Sequence, residues 1–257
     1  MSLEIETDAR GVRTLWLNRP EKHNAMDAPL MDALTAAAGD VRVGEVRALV
    51  LAARGPTFCA GGDLNWMRAQ FEAAPAERRA EAERLSDMLH ALYNVGVPVI
   101  GRIHGNAFGG GLGLTAICDH AVGVAGRSFG LTETRLGLIP ATIGPYVAAR
   151  LGPKLGTIFM SSRVFEAEEA KELGLLSRVV SEDALNAAIE AEIAPYLACA
   201  PGAVAAAKQQ ARSLANQISP ATTQAALDAL TARWESGEAA EGIAAFFEKR
   251  PPSWKAP

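Results

Sequence analysis

Apolar residues in the first half of the chain switch repeatedly between the spacing of a strand and the spacing of a helix. Four short runs, continuous or alternating and rich in branched residues, predict strands at residues 12–17, 48–52, 97–103 and 120–125. Three longer segments place apolar residues along one side of a helix, at residues 28–41, 75–93 and 110–117. Asp27 precedes the first of these helices and is placed to cap it. This alternation predicts crossover connections and an α/β core with largely parallel strand pairing.

The pattern changes near Pro201. Beyond it the chain is rich in alanine and polar helix formers, with no convincing strand. We therefore expect a core over residues 1–200 that holds the ligand site. Residues 201–257 are expected to form a helical C-terminal segment that serves oligomerisation.

Composition narrows the class of protein. Hydrophobic residues make up 49% of the chain and charged residues 21%, which is typical of a globular protein with a sizeable core. The formal charge of −4 argues against general nucleic-acid binding, which needs a concentrated basic surface. Three widely spaced cysteines predict neither a disulfide framework nor a metal site. The N-terminus lacks a signal-peptide layout and no apolar run is long enough to span a bilayer, so we expect a cytoplasmic protein that does not enter membranes.

Two glycine-rich segments are candidates for binding a ligand through the backbone. The first, TFCAGGDL at residues 57–64, follows a predicted strand, and its glycines allow close approach of a ligand, although a tight turn explains the segment equally well. The second, HGNAFGGGLGLTAICD at residues 104–119, leads from a strand into a helix. Consecutive glycines at a helix start expose N–H groups that can hold a phosphate or a developing oxyanion. The glycine spacing does not fit a dinucleotide fingerprint, so a nicotinamide or flavin site is not expected.

A third segment, SFGLTETRLGLIP at residues 128–140, contains one carboxylate in apolar surroundings. Such surroundings can desolvate Glu133 and raise its pKa towards neutrality, as general acid–base catalysis requires. The alternative is a structural ion pair between Glu133 and Arg135. This segment alone does not decide between the two.

Together these segments resemble the crotonase family, the enoyl-CoA hydratases and isomerases. The resemblance covers nearly the whole chain, from NRPEKHNAM at residues 18–26 to VFEAEEAKELGLLSRVV at residues 164–180. It implies a spiral of ββα turns with a helical C-terminal segment, assembled as a homotrimer or a dimer of trimers. It also implies that the N–H groups of Gly62 and Gly110 bind the thioester oxygen while Glu133 moves protons. No cofactor is expected, because CoA is part of the substrate.

The resemblance also implies a CoA-binding surface. The expected contacts in the same subunit are Lys22, His23, Ala25, Ala60 and Leu64. Phe246 and Lys249, near the C-terminus, are expected to close the adenine site of a neighbouring subunit.

One position departs from the family pattern. Hydratases of this family commonly use two glutamates, and Gly113 stands where the first is normally found. Glu133 alone then either activates water and returns a proton to the α-carbon, or shuttles a proton between two carbons as in an enoyl-CoA isomerase. A non-catalytic acyl-CoA binding protein is the third possibility.

The segment 129–152 and the ending AAFFEKRPPSW are similar to the bacterial methylglutaconyl-CoA and carboxygeranoyl-CoA hydratase branch, which also carries glycine at this position. The resemblance therefore implies hydration of a branched, carboxylated enoyl-CoA, as in leucine or acyclic-terpenoid breakdown. A substrate carboxylate needs a cationic or polar partner. Arg135, His104 and Arg68 are candidates, and their spacing selects none of them.

Overall fold

A computed structural model of the chain describes residues 1–215 and 218–254. The described residues form the strands β1 Leu3–Thr7, β2 Val12–Leu17, β3 Ala48–Ala53, β4 Val99–Ile103, β5 Ala107–Phe108, β6 His120–Val124, β7 Ser128–Gly130, β8 Val164–Glu166 and β9 Arg178–Val180. They also form the helices α1 Ala28–Gly39, α2 Leu64–Glu72, α3 Pro75–Asn94, α4 Gly110–Ala116, α5 Gly144–Leu151, α6 Gly156–Phe159, α7 Ala167–Glu172, α8 Leu185–Leu197, α9 Pro201–Ala215, α10 Pro220–Trp234 and α11 Gly237–Phe247. Short 3₁₀-helices lie at Pro20–Lys22, Glu133–Leu136 and Gly152–Leu155.

Six strands form the main sheet in the order β1-β2-β3-β4-β6-β9. β1 and β2 pair antiparallel, and every later pair in this sheet is parallel. A smaller sheet has the order β5-β7-β8. The predicted α/β core with largely parallel pairing is therefore confirmed, and the predicted strands and helices are found with ends shifted by a few residues.

The core lies on both faces of the main sheet. Along β3, Leu49 and Leu51 face a cluster built with α1, α3 and α4, whereas Val50 and Ala52 face a second cluster built with α8. Successive side chains of a strand point to opposite faces, so a strand buried on both must be apolar throughout. This explains the unbroken apolar run of β3.

Asp27 caps α1 as predicted, since its side chain accepts a hydrogen bond from the Leu30 N–H. The predicted strand at 97–103 begins two residues later, at Val99. Pro98 has no N–H to donate to a strand ladder, although its carbonyl oxygen accepts from Leu49 N.

The predicted C-terminal segment is helical, as α9, α10 and α11 show, with residues 216–217 and 255–257 outside the described part. Asp119 ties α9 to the core, because its carboxylate accepts from Lys208 and Arg212 at 2.7 and 3.0 Å. No helix within the described ranges is long and apolar enough to cross a membrane.

Candidate active site

The three segments predicted to carry chemistry meet in the structure. The two glycine-rich segments run side by side, because Cys59 N donates to Asn106 O and Phe108 N donates to Cys59 O. The third segment joins them through the hydrogen bond from Gly109 N to Gly130 O, 3.0 Å long. The backbone thus brings Gly62, Gly110 and Glu133 to one place.

The Gly62 N–H is aimed by the peptide bond that precedes it. The carbonyl oxygen of Gly61 accepts a 2.7 Å hydrogen bond from Met26 N. Because a trans peptide is planar, its N–H points opposite to its carbonyl, so the Gly62 N–H faces away from Met26 N. Gly61 has φ +97°, a conformation that favours glycine. The Gly62 N–H meets no acceptor among the described residues.

The Gly110 N–H is held in the same way at the start of α4. The Gly109 carbonyl accepts from Gly113 N at 3.1 Å, and Gly109 has φ +49°. The Gly110 N–H therefore points out of the helix N-terminus, again without an acceptor in the described chain. Gly62 and Gly110 line one cavity together with Glu133.

Arg19 fastens the loops around the first glycine segment, a role that the sequence reasoning missed. Its guanidinium pairs with Asp27 at 2.9 Å and with Asp63 at 3.1 Å, and also donates to the Ala25 carbonyl. Burial works to raise the pKa of Asp63. The backbone N–H groups of Trp66 and Asn65, together with the Arg19 guanidinium, nevertheless hold that pKa below its usual value. The two aspartates that cap α1 and α2 thus share one cation, which fixes the loop carrying Gly62.

Glu133 presents a buried carboxyl group to the same cavity. Its Oε1 lies 3.1 Å from the point where a β-carbon on Gly109 would stand, and its buried Oε2 has no partner in the described residues. Burial raises the pKa of Glu133 to about 7, against smaller opposing effects of nearby backbone N–H groups. The alternative ion pair is not formed, because Arg135 instead donates to Ser162 O at 2.8 Å.

Helix α11 supports the 3₁₀-helix of Glu133 from behind. A β-carbon on Gly242 would stand 2.5 Å from the carbonyl carbon of Leu136, and one on Gly137 would stand 2.4 Å from Glu238 O. Glycine at both positions permits this close backbone contact. The C-terminal segment thus helps to position the catalytic candidate of its own chain.

The position of the missing glutamate is closed by packing. A β-carbon on Gly113 would stand 2.5 Å from Cγ2 of Ile143, a buried residue. A larger side chain there requires Ile143 to move. Glu133 is accordingly the carboxylate that stands at the oxyanion end of the cavity.

The cavity encloses about 140 Å³ and is mostly apolar. Leu230 and Trp234 of α10 contribute to its wall. Besides Glu133 Oε2, three polar atoms of lining residues are buried without a partner among the described residues: Gln70 Oε1, Arg78 Nε and Thr142 Oγ1. Unpaired buried polar groups cost free energy, so their concentration here is typical of a ligand site.

The five CoA contacts predicted within the subunit lie on the loops around the first glycine segment. Ala60 N donates to His23 O at 3.0 Å, and Leu64 begins α2 one residue after the Asp63 cap. Lys22 and His23 are exposed, whereas Ala25 is buried. The structure thus brings these residues together beside Gly62.

The remaining predicted residues lie elsewhere. Phe246 and Lys249 are exposed at the end of α11 and do not line the cavity in the described structure. Nor do the candidates for a substrate carboxylate: Arg68 lies over the Phe247 ring at 4.5 Å, and His104 Nε2 is hydrogen-bonded to Gly55 O. With Arg135 bonded to Ser162, all three carboxylate candidates have other partners.

Comparison with known proteins shows the family of this chain. A sequence profile described as enoyl-CoA hydratase/isomerase matches residues 7–257. The mouse mitochondrial methylglutaconyl-CoA hydratase is 32% identical over 98% of this chain and 82% of its own length. A Mycobacterium smegmatis enoyl-CoA hydratase structure is 35% identical with a TM-score of 0.80, and a Mycobacterium avium one is 29% identical with a TM-score of 0.85; each comparison covers 99% of both chains.

The chain therefore belongs to the enoyl-CoA hydratase/isomerase family, the crotonases. The expected crotonase-type α/β fold and the expected enzyme class, an acyl-CoA-binding enoyl-CoA hydratase of this family, are confirmed.

Proposed function

We propose that the enzyme hydrates a branched, carboxylated enoyl-CoA of the 3-methylglutaconyl or carboxygeranoyl type, using Glu133 as its single acid–base group. The single-glutamate mechanism is supported by the buried Glu133 carboxyl group beside Gly109. The Gly113 position, where a second glutamate would stand, is closed by Ile143. The substrate class is supported by the similarity in the segment 129–152. It is also supported by the relationship to the mouse enzyme, which is named for methylglutaconyl-CoA.

The reaction then follows from three groups. Ionised Glu133 removes a proton from water as the water oxygen bonds to C3 of the enoyl thioester. The C2–C3 π electrons move towards the thioester oxygen, where the Gly62 and Gly110 N–H groups stabilise the negative charge. Glu133 returns the proton to C2, so the product has gained one water and the carboxylate is restored.

The second candidate function is isomerisation, which the single carboxylate also favours. A proton shuttle between two carbons needs one base, and the oxyanion donors stabilise the same enolate. The two functions differ in whether water enters the product.

The decisive test is turnover of crotonyl-CoA, 3-methylglutaconyl-CoA and a 3-enoyl-CoA, followed by ultraviolet absorbance and mass spectrometry. We expect one added water on the carboxylated substrate, and a loss of kcat of roughly 10²- to 10⁴-fold in Glu133→Gln. Glu168→Gln, on the exposed side of α7, is the matched control. Double-bond migration without added water indicates the isomerase, and undiminished turnover in Glu133→Gln removes this residue from the mechanism.

We further propose that the CoA moiety lies along Lys22, His23, Ala25, Ala60 and Leu64. In a homotrimer or a dimer of trimers, Phe246 and Lys249 would then face the adenine of a neighbouring subunit. Their exposure at the end of α11 leaves them available for such a contact. Sedimentation equilibrium tests the assembly, and a monomeric enzyme with full activity contradicts it.

A further inference from the structure

We infer that Arg78 binds the carboxylate at the far end of the acyl chain, and this inference rests on the proposed substrate class. Arg78 lies in the first turn of α3 and lines the same cavity as Glu133. Among the described residues that line this cavity, it is the one arginine or lysine. A cavity with oxyanion donors, a general base and one cation matches a thioester that also carries an acid group.

The guanidinium of Arg78 is largely buried and incompletely paired. Its side chain is 14% exposed, and its Nη2 donates to Glu235 at 2.5 Å. Its Nε is buried and has no partner in the described chain. An arginine offers several N–H groups in a planar fork, so Nε remains available for a carboxylate oxygen.

The existing partner of Arg78 reaches solvent. The Glu235 side chain is 49% exposed, so water can donate to its carboxylate in place of Arg78 when Arg78 binds another anion. A substrate carboxylate inside the cavity is shielded from water, where charge-assisted hydrogen bonds are stronger. Arg78 can therefore exchange part of its pairing with Glu235 for the substrate.

The nearby acidic residue, Glu81, already has hydrogen-bond partners. Glu81 also lines the cavity, but its Oε2 accepts from Trp66 Nε1 at 2.8 Å and its Oε1 accepts from Arg84 Nε at 3.3 Å. Arg84 also pairs with Asp32, so it offsets the charge of Glu81 only in part. Arg78 is the one cation of the described cavity wall that attracts an anion. Gln70 adds an amide to the same wall, where its carbonyl oxygen Oε1 is buried without a partner in the described chain. The amide has to turn over for its NH₂ group to donate to the second carboxylate oxygen.

The test compares 3-methylglutaconyl-CoA with 3-methylpent-2-enoyl-CoA, in which a methyl group replaces the carboxylate. Arg78→Met keeps a flexible apolar stem beside Trp234 and removes the fork. We expect kcat/KM to fall roughly 10- to 100-fold for the carboxylated substrate and by less than about threefold for the neutral one. Arg78→Lys is expected to lie between, since it keeps the charge but loses the fork.

Glu235→Gln provides an effect of opposite sign. This substitution removes the carboxylate that competes with the substrate for Arg78. We therefore expect KM for the carboxylated substrate to fall roughly two- to fivefold, with no change in KM for the neutral substrate. Circular dichroism and Tm confirm that each variant is folded.

The outcomes separate the two proposals. If the wild-type enzyme hydrates the neutral substrate and not the carboxylated one, the proposed substrate class fails and the role of Arg78 fails with it. If the wild-type enzyme prefers the carboxylated substrate and Arg78→Met keeps that preference, the assignment of Arg78 alone is overturned. Equal losses on both substrates also overturn it, because they indicate a structural role.

Discussion

The two ends of the acyl cavity are built in different ways. At the oxyanion end, backbone N–H groups of Gly62 and Gly110 are aimed by neighbouring hydrogen bonds within short segments. At the far end, side chains from α2, α3 and α10 meet, among them Gln70, Arg78 and Trp234. The first end is set by local backbone geometry and suits any acyl-CoA, whereas the second end depends on side-chain identity and suits particular acyl chains.

The largest effect is expected from removing a donor at the oxyanion end. Gly110→Pro deletes the N–H at the first position of α4, where proline fits a helix, so we expect kcat to fall about 10²- to 10³-fold. Gly110→Ala is the control, because a β-carbon there also meets the flexible end of Met26 but the N–H is kept. Equal rates in the two variants, measured with crotonyl-CoA, contradict the role of this N–H.

The pH dependence should report on Glu133. With its pKa near 7, the ionised base is lost below that pH, so kcat/KM should fall about tenfold per pH unit under pH 6. Glu133→Gln removes the titrating base, so its residual activity should lack this acid limb. An acid limb near pH 4.5 in the wild-type enzyme contradicts the burial effect.

The same group links stability to pH. The folded pKa of Glu133 is raised above its unfolded value, so its contribution to stability is fully present below about pH 4.5 and is lost as pH rises through 7. Glu133→Gln cannot ionise, so it should be more stable than the wild-type enzyme at pH 8 by on the order of 3 kcal/mol, with little difference at pH 4.5. Urea unfolding at the two pH values measures this, and a constant difference between them speaks against it.

A smaller effect is expected at Gly113, which packs against the cavity-lining residue Ile143. Gly113→Ala brings a β-carbon against Ile143, and overpacking of this kind costs about 1–3 kcal/mol in the free energy of unfolding. In an Ile143→Ala background the cost of Gly113→Ala should largely disappear, because the clash is removed. Additive effects in urea denaturation disprove the close contact.

The smallest effect is expected at the CoA surface proposed around Lys22, which does not line the cavity. Lys22→Ala should raise KM roughly two- to fivefold with kcat unchanged, because an exposed cation contributes little to binding. Lys171→Ala, exposed on α7, is the control. An identical KM in both variants removes Lys22 from the CoA site.

Several features of the site were predictable from the sequence. Gly62, Gly110 and Glu133 lie in short segments whose residue types follow from the backbone they must form, such as positive φ at Gly61 and Gly109. Arg19 was not found, because a guanidinium that joins two helix caps leaves no periodic signal in the sequence. Asp27 and Asp63, each at the start of a helix, were the signal for such a residue. Two carboxylates that come close together in the fold need a cation between them.

The sequence by itself determined the α/β alternation, the helical C-terminal segment, the two glycine-rich turns and the single carboxylate between apolar residues. These depend on local spacing and on the conformations that each residue type allows. Only the tertiary structure decided that Ile143 closes the Gly113 position, that α10 completes the cavity of its own chain while α11 supports the 3₁₀-helix of Glu133, and that Arg78 lines the cavity. Those contacts join residues far apart in the chain, where packing selects the partner and sequence spacing carries no record of it.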